Sequence, residues 1–435
     1  MKIVIAILIF GIIVLIHEFG HFVFARMNGI EVQDFSIGMG PRLCGFRAWG
    51  TQFSLRLLPL GGACMMLGED HDQNMVDEHS FYAKNVWQRI SVLFAGPGFN
   101  FLLAFIFSVV FIGMSGVDKP YVTKVVEGSP AAVAGMKEGD VITKINHSGV
   151  VISRDVQSYF LHNSISEKPI TITVKRDGEK IKLTLTPQEY DKYMLGFSYS
   201  ATESAPAEVL EVSEGYPMAE AGLLAKDVII GIGDMEIKNS GELISYFDRT
   251  PLTGEPVEVR ILRGSEKMTL TVTPKFVSKG YNTGFSYNLA SEKVSAVQTL
   301  RYSFTETRFW ITETAKGLVQ LFTGKLKSTD VGSAIAVVDV IGDSYDAAMK
   351  YGIRETIISM LSITIFISAN IGVMNLLPIP ALDGGKLLFC AIEVVRGKPV
   401  DREKEGMVHF IGFVLLMILM VFLIFNDVKN IFFTK

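Results

Sequence analysis

The sequence is poor in cysteine and contains no long run of charge of one sign. Its three cysteines, Cys44, Cys64 and Cys390, are odd in number and show no C-x-x-C spacing. This argues against a disulfide framework or a cysteine-based zinc site, and favours buried or incidental thiols. The formal net charge of -4 over 435 residues is close to neutral. It gives none of the strong basic character of nucleic-acid-binding proteins, so no nucleic-acid partner is expected.

Apolar sequence, by contrast, is abundant: 49% of the residues are hydrophobic. The first apolar run begins like a signal peptide, but no small-residue cleavage site follows it, so we expect it to be retained. Each of four runs has the roughly 17–25 residues that a bilayer requires. The chain is therefore predicted to be a polytopic α-helical membrane protein with four transmembrane helices: Ile3–Ala25, Ile90–Met114, Ile357–Leu377 and Val408–Phe425.

The loops between these runs predict an orientation. Loops 27–89 and 378–407 are both rich in lysine and arginine, and such loops stay on the cytoplasmic side of a membrane. Both chain ends and the long segment 115–355 are then expected outside, although lysines near the two ends count weakly against this.

An internal repeat occupies the outer segment. Val125–Ile142 and Val212–Ile229 are similar at an offset of 87 residues. The same offset, or one that differs from it by one residue, relates Pro187 with Pro274 and the GFSY segments that begin at Gly196 and Gly284. Two copies of one domain are the simplest explanation, and each copy is predicted to be β-rich with two short helices.

Two smaller elements accompany the apolar runs. In residues 51–57, TQFSLRL, apolar and polar side chains alternate, which predicts a β-hairpin or small sheet near the membrane. Residues 293–325 have helical character, but charged side chains interrupt every apolar stretch. We therefore expect an amphipathic or surface-lying helix there rather than a fifth span.

The chemically most informative motif is HEFGH in the first apolar run, which contains His17, Glu18 and His21. Ionisable groups inside a membrane are costly, and they indicate function by default. Two histidines four residues apart lie on one face of a helix and can bind one Zn²⁺. The glutamate between them is then placed to act as general base on a water molecule.

A catalytic zinc needs a third protein ligand, and Asp383 in NLLPIPALDGG is the best candidate. The first helix rises about 20 Å from Ile3 to Ile16, which puts His17 about two-thirds of the way across a ~30 Å core. The third run returns Asp383 to a similar depth. Its two prolines are expected to break the helix, and Gly384-Gly385 to permit a tight turn.

Together these motifs resemble the site-2 protease family of intramembrane zinc metalloproteases, of the regulator of sigma-E protease type with tandem PDZ domains. HEFGH in the first run, AGPGFN in the second and NLLPIPALDGG after the third carry the resemblance, which extends over nearly the whole chain. It implies that His17, His21 and Asp383 bind Zn²⁺ and that Glu18 is the general base. Asn375 would hold the substrate or stabilise the oxyanion.

The resemblance also implies a domain plan. Two circularly permuted PDZ-like α+β domains, each with its Gly-Phe strand at the end, would lie between pairs of transmembrane helices, with a membrane-associated β-hairpin region near the first pair. One departure from the family is VGSAIAV (Val331–Val337), where a Gly-Pro is usual. The expected divisions are 1–114 for the first two spans, 119–200 and 206–288 for the PDZ-like domains, 289–355 for an amphipathic linker, and 356–435 for the last two spans.

The implied function is intramembrane proteolysis of single-span membrane proteins, within or near the transmembrane segment. Implied substrates are pre-cleaved anti-sigma factors and remnant signal peptides, and the PDZ-like domains would read peptide carboxyl termini. The protein would lie among the lipids of the bacterial cytoplasmic membrane, with its PDZ-like domains outside and its active site near the cytoplasmic side. Asn100, in AGPGFN, is expected to support helix packing rather than touch substrate.

The alternative is a non-catalytic membrane scaffold that binds carboxyl termini through its PDZ pair and holds a structural metal. Glu18 distinguishes the two hypotheses, because a structural zinc site has no use for a general base between its ligands.

Overall fold

The computed structural model describes residues 2–69, 77–200, 205–324 and 334–433. Its helices are α1 (Lys2–Met27), α2 (Val86–Ser115), α3 (Pro130–Val133), α4 (Ser153–His162), α5 (Pro217–Glu220), α6 (Ser240–Arg249), α7 (Ala296–Phe322), α8 (Ala334–Met349), α9 (Ile353–Asn375), α10 (Asp383–Arg396) and α11 (Arg402–Phe433).

Its strands are β1 (Val32–Ala48), β2 (Thr51–Met66), β3 (Val117–Asp118), β4 (Val122–Val125), β5 (Val141–Ile145), β6 (Ser148–Gly149), β7 (Ile170–Arg176), β8 (Glu179–Leu185), β9 (Gln188–Met194), β10 (Phe197–Tyr199), β11 (Val209–Val212), β12 (Val228–Ile232), β13 (Met235–Glu236), β14 (Val257–Arg263), β15 (Glu266–Val272), β16 (Lys275–Asn282), β17 (Phe285–Tyr287) and β18 (Ser291–Glu292).

The chain forms two compact units. The membrane unit comprises Met1–Lys119, Val151–Ser158 and Leu289–Lys435, and the repeat unit comprises Pro120–Val150 and Tyr159–Asn288. In the membrane unit α1, α2, α9 and the Arg402–Leu423 part of α11 are long and apolar enough to cross a membrane. The prediction of four membrane helices is therefore confirmed.

Glycines let the membrane helices approach one another closely. A Cβ on Gly20 of α1 would lie 2.4 Å from the backbone oxygen of Ala95 in α2. A Cβ on Gly372 of α9 would lie 2.6 Å from the ring of Phe101 in α2. Because real Cβ atoms do not approach other atoms so closely, these positions require glycine. In this unit α2 packs against α1, α7 and α9.

Helix α7 occupies the segment predicted as an amphipathic linker. It begins at a capping box formed by Ser295 and Gln298, which satisfies backbone N–H groups at the helix start. It packs against α2 and α9, and its buried residues are mostly polar: Thr299, Ser303, Thr305, Glu306, Thr307 and Phe309. Of the atypical segment Val331–Val337, residues 331–333 lie outside the described residues, and α8 begins directly after them.

Strands β1 and β2 form an antiparallel hairpin through a two-residue turn at Trp49-Gly50, both with positive φ, as a tight hairpin turn requires. Both strands bend, so that Phe35 pairs with Cys64 on one side and with Phe53 on the other. The hairpin is thus a small sheet of four segments, in the order 61–66, 32–37, 51–58 and 42–48. The segment 61–66 lies at one edge.

The repeat unit contains two four-stranded sheets of the same design, β6-β5-β7-β8 and β13-β12-β14-β15. We call the parts of the chain around these sheets the first and the second repeat. Their cores are alike, since Ile142 and Ile172 of the first repeat are fully buried, as are Ile229 and Val259 at the same places in the second.

The strand pairing departs from the predicted domain bounds 119–200 and 206–288. Strand β10, at the end of the predicted first domain, pairs with β11 of the second repeat. Strand β17, at the end of the predicted second domain, pairs with β4 of the first repeat. The second repeat is therefore inserted within the first, and only the first has its Gly-Phe strand at the end. Strands β9 and β16 pair where the chain enters and leaves the insertion.

The glycines that precede these strands explain why both GFSY segments adopt the same form. Gly196 and Gly284 have φ of +85° and +80°, a region that favours glycine. A Cβ on Gly196 would lie 2.0 Å from Tyr216 Cβ, and one on Gly284 would lie 2.1 Å from Ser129 Cβ. Tyr216 and Ser129 precede the equivalent helices α5 and α3, so each Gly-Phe strand closes onto one short helix.

An arginine–aspartate pair recurs in each repeat. Asp140 accepts hydrogen bonds of 2.6 and 2.7 Å from Arg176, and Asp227 accepts bonds of 2.9 and 2.7 Å from Arg263. Both aspartates are buried and also accept a backbone N–H. Each pair joins the loop before one strand to the end of the neighbouring strand. These strands are β5 and β7 in the first repeat, and β12 and β14 in the second.

Candidate metal centre

Helix α1 brings two imidazoles to one point. The Nε2 atoms of His17 and His21 lie 3.3 Å apart, because residues four apart lie on the same helix face. Oδ2 of Asp383, from α10, lies 3.2 Å from His17 Nε2 and 3.3 Å from His21 Nε2. The three side chains are 8–19% exposed. The three predicted ligands therefore lie together, although Asp383 is more than 360 residues from the two histidines in sequence.

The geometry of this cluster fits a tetrahedral metal ion. Donor atoms 2.0–2.2 Å from a tetrahedral Zn²⁺ lie about 3.3–3.6 Å from one another, and the three observed separations are 3.2–3.3 Å. Two imidazole nitrogens and one carboxylate oxygen are ligands that zinc accepts, and they leave a fourth position open. Across the part of the chain that the structure describes, these three residues form a group that could hold a metal ion.

The orientation of His21 follows from a backbone contact. Its Nδ1 lies 2.9 Å from the carbonyl oxygen of Val92, and a carbonyl oxygen only accepts hydrogen bonds. Nδ1 of His21 therefore carries the proton, so in the neutral ring the lone pair is on Nε2, where the metal would bind.

Gly96, in AGPGFN of α2, provides room for the histidines. A Cβ at this position would lie 2.3 Å from Nε2 of His21 and 2.8 Å from Cε1 of His17. Any side chain here would push into the metal centre, so this glycine is required by the site itself.

The chain turns within PIPALDGG, but at a different residue from the predicted Gly384-Gly385. The residue in the left-handed region is Ala381, with φ +77°, and its N–H donates to Nδ1 of His409 over 2.9 Å. Gly384 and Gly385 instead lie within α10, where an added Cβ would come within 2.1 Å of the Leu377 oxygen and 2.5 Å of the Ile379 oxygen. The glycines serve close packing rather than a turn, and Asp383 is the first residue of α10.

One turn further along α10, Lys386 pairs with Glu69, which follows the hairpin; its Nζ lies 2.5 Å from Oε1 of Glu69. Burial alone would lower the pKa of Lys386, but the adjacent Glu69 carboxylate raises this pKa well above its usual value. The lysine therefore remains charged, and the pair connects the Asp383 helix to the end of β2.

Glu18 lies beside the edge segment of the hairpin. A Cβ on Gly62 would lie 2.8 Å from Cγ of Glu18 and 2.9 Å from Cγ1 of Val14, so the strand passes close to the predicted general base. Asn375 is the last residue of α9 and is half-buried. Its predicted role at the oxyanion stays a prediction.

Sequence reasoning did not assign Asn100 to the centre. This residue of α2 is fully buried, and its side-chain amide nitrogen lies 3.2 Å from Nδ1 of His17. The available signal was its position in AGPGFN, four residues after Gly96, which puts the two on the same face of α2.

The model for peptidase family M50 matches residues 5–419 of this sequence. The chain belongs to peptidase family M50. Several relatives match this chain over nearly its full length. One is the zinc metalloprotease RasP of Geobacillus kaustophilus, which is 32% identical; the match covers 98% of this chain and 97% of the relative. Another is the regulator of sigma-W protease RasP of Bacillus subtilis, 27% identical, with 98% of each covered. These findings confirm the predicted family and metalloprotease class, and the zinc in the first relative's name agrees with the predicted cofactor.

Two solved structures each resemble a part of this M50 member. The PDZ domain of HtrA3 with a phage-derived ligand matches 21% of this chain and 93% of its own, at 20% identity and a TM-score of 0.18. The HtrA-type protease AlgW with a decapeptide matches 33% of this chain and 57% of its own, at 16% identity and a TM-score of 0.20.

Proposed function

We propose that this chain is an intramembrane zinc endopeptidase that cuts single-span membrane proteins within or near their transmembrane segment. The observation that carries the proposal is the triangle of ligand atoms of His17, His21 and Asp383, in which both histidines belong to an apolar helix long enough to cross a membrane. A metal-ligand set at such a place serves a substrate bond that also lies in the membrane.

Glu18 is the general base of this proposal. A bound zinc ion would supply the Lewis acidity that polarises the scissile carbonyl and acidifies water. Glu18 takes the proton from the attacking water and returns it to the leaving amine. Asn375 is proposed to donate its side-chain amide to the developing oxyanion.

The edge segment 61–66 of the hairpin is the proposed place for the substrate. A transmembrane helix hides its carbonyls in its own hydrogen bonds, so it must unwind before a peptide bond can be attacked. An exposed sheet edge can bind an extended peptide as an added strand. Since Gly62 at this edge lies beside Glu18, a strand added there would run past the general base.

The positive loops support an orientation with the active site near the cytoplasmic face of a bacterial cytoplasmic membrane and the repeats outside. The name of the Bacillus subtilis relative links that protein to a sigma factor. We extend this to the present chain as a proposal: its substrates are pre-cleaved anti-sigma factors and remnant signal peptides. The repeats are proposed to read carboxyl termini freshly made by an earlier cut.

The test is cleavage of a single-span model substrate in detergent by Glu18→Gln. We expect the rate to fall by about 10²–10⁴-fold, the usual contribution of a general base, with the zinc content unchanged. Glu31→Gln, at an exposed glutamate after α1, is the matched control and should cleave normally. His21→Ala and Asp383→Ala should each lose zinc. Cleavage retained by Glu18→Gln would overturn the mechanism, and a wild-type chain that binds zinc but cuts no substrate would favour the scaffold hypothesis.

A further inference from the structure

Asn100 stands next to the metal centre with one of its polar atoms unexplained. Its side chain is fully buried in α2, and its Nδ2 lies 3.2 Å from Nδ1 of His17. Its Oδ1 is buried and has no hydrogen-bond partner among the described residues.

The chemistry of His17 indicates which end of the Asn100 amide should face its Nδ1 atom. Nε2 of His17 faces Asp383 and His21 and must offer its lone pair if a metal is to bind. A neutral imidazole with a free Nε2 has its proton on Nδ1, so Nδ1 is a donor and needs an acceptor. The acceptor end of the Asn100 amide is Oδ1, not Nδ2.

A half-turn of the carboxamide places its acceptor end against His17. The two ends of this group have nearly the same shape, so the turn brings Oδ1 to the place of Nδ2, about 3 Å from Nδ1 of His17 and within hydrogen-bond distance. It gives the His17 proton an acceptor and Oδ1 a donor, and Nδ2 takes the buried place that Oδ1 leaves.

We propose that Asn100 is a positioning residue whose side-chain oxygen accepts the Nδ1–H of His17 and holds the Nε2 lone pair of His17 toward the metal. His21 receives the same support from the Val92 carbonyl. Both outer partners lie on α2, so this helix sets the proton position of both imidazoles on α1. The inference rests on the proposed metal centre and adds a residue to it.

A second contact makes Asn100 a rigid support. Ser368 of α9, which is itself fully buried, donates to the backbone oxygen of Asn100 over 2.8 Å. This bond fixes the backbone of Asn100 but does not involve its amide. The packing role expected from the sequence thus belongs to the backbone, and the side chain is free to serve the histidine.

The experiment measures zinc affinity of the full-length chain in detergent by competition with a coloured chelator. Asn100→Leu keeps the side-chain size but removes the acceptor, and zinc affinity should fall about 10–100-fold, as for other outer partners of metal-binding histidines. Asn100→Asp keeps an acceptor and should retain affinity within about threefold. Ser368→Ala is the matched control for packing, and it should leave zinc affinity unchanged.

Each outcome either supports or overturns the proposed role of Asn100. Unchanged affinity in Asn100→Leu overturns the inference, as does a large loss in Asn100→Asp, since that loss would mean that the amide nitrogen donates to His17. If Asn100→Leu does not fold, Asn100→Ala removes the acceptor with a smaller side chain and must show the same loss of zinc affinity. A wild-type chain that binds no zinc would instead overturn the proposed function.

Discussion

The two repeats share a sheet design but differ at the longer of their two helices. In the first repeat this helix is α4, whose Arg154 donates to Glu306 at 2.7 and 2.5 Å and to Asp118. In the second repeat it is α6, which has Gly241 at the place of Arg154. Residues 151–158 accordingly belong to the membrane unit, whereas α6 belongs wholly to the repeat unit.

The space between this longer helix and the Gly-Phe strand also differs between the repeats. In the second repeat a cavity of about 350 Å³ is lined by Phe197, Phe247 and neighbouring residues that include Tyr193 and Leu252. In the first repeat the matching aromatic residues, Phe160 and Phe285, contact each other with ring centroids 6.4 Å apart. One sequence pattern thus produces an anchored helix in the first repeat and an open groove in the second.

The largest effect is expected from breaking the anchor with Arg154→Met. Glu306 is 1% exposed and Asp118 is 10% exposed, so the substitution leaves two buried carboxylates without their cation. Loss of one partner of a buried ion pair lowers the free energy of unfolding by about 3–5 kcal/mol. Thermal unfolding in detergent measures it.

Arg249→Met, at an exposed arginine of α6, is the control for the second repeat and should change stability by less than about 0.5 kcal/mol. Adding Glu306→Gln to Arg154→Met should recover part of the loss. Equal effects at Arg154 and Arg249 would remove the distinction between the two helices.

A smaller and equal effect is expected where the repeats agree, at the two buried aspartates. Asp140→Asn and Asp227→Asn should each lower the free energy of unfolding by about 2 kcal/mol, the usual contribution of hydrogen bonds to charged groups. Exposed Asp234→Asn is the control. Markedly unequal losses would show that the repeats differ in their sheets as well as at their helices.

The same aspartates predict an acid dependence. The Arg263 guanidinium lowers the pKa of Asp227, and Arg176 together with a backbone N–H lowers that of Asp140 despite its burial. A lowered pKa stabilises the fold above the unfolded-state value of about 3.9, and this stability is lost as pH falls through the folded-state value. Unfolding followed from pH 6 to pH 2 should show this loss in the wild type, and a smaller loss in each Asn variant.

The smallest effect concerns the groove. A labelled peptide with a free carboxyl terminus should bind the full-length chain, and Phe247→Glu should weaken this binding at least tenfold, about 1.4 kcal/mol. Phe160→Glu is the matched substitution in the first repeat and should leave peptide affinity unchanged. Fluorescence polarisation measures both, and an amidated peptide tests the need for the carboxylate. Weakening by Phe160→Glu alone would reverse the assignment of the open groove.

Much of the candidate site was predictable because its signals are local. HEFGH needs only the helical period to bring His17 and His21 together, and the depth of two apolar runs sufficed to match them with Asp383. The repeat was visible because two segments kept one spacing. The cysteines followed expectation in part: Cys64 and Cys390 are buried, and Cys44 is exposed.

The features that were not predicted depend on contacts between distant parts of the chain, which local sequence patterns do not reveal. The GFSY segments are identical in sequence, so no local pattern shows which repeat's first strand each of them pairs with, and the insertion was not visible. The glycines at 384 and 385 suggest a turn until the Leu377 and Ile379 oxygens are found against them. The role proposed for Asn100 depends on the packing of α2 against His17, which its position in AGPGFN does not reveal.

The insertion of one repeat within the other also sets an order of events during synthesis. Strand β4 is made about 160 residues before its partner β17, whereas β10 and β11 of the second repeat emerge almost together. At 5–20 residues per second, the ribosome needs roughly 8–30 s to supply the missing strand. We therefore expect the inner domain to fold first, while strand β4 of the outer domain waits with its β17 edge unpaired.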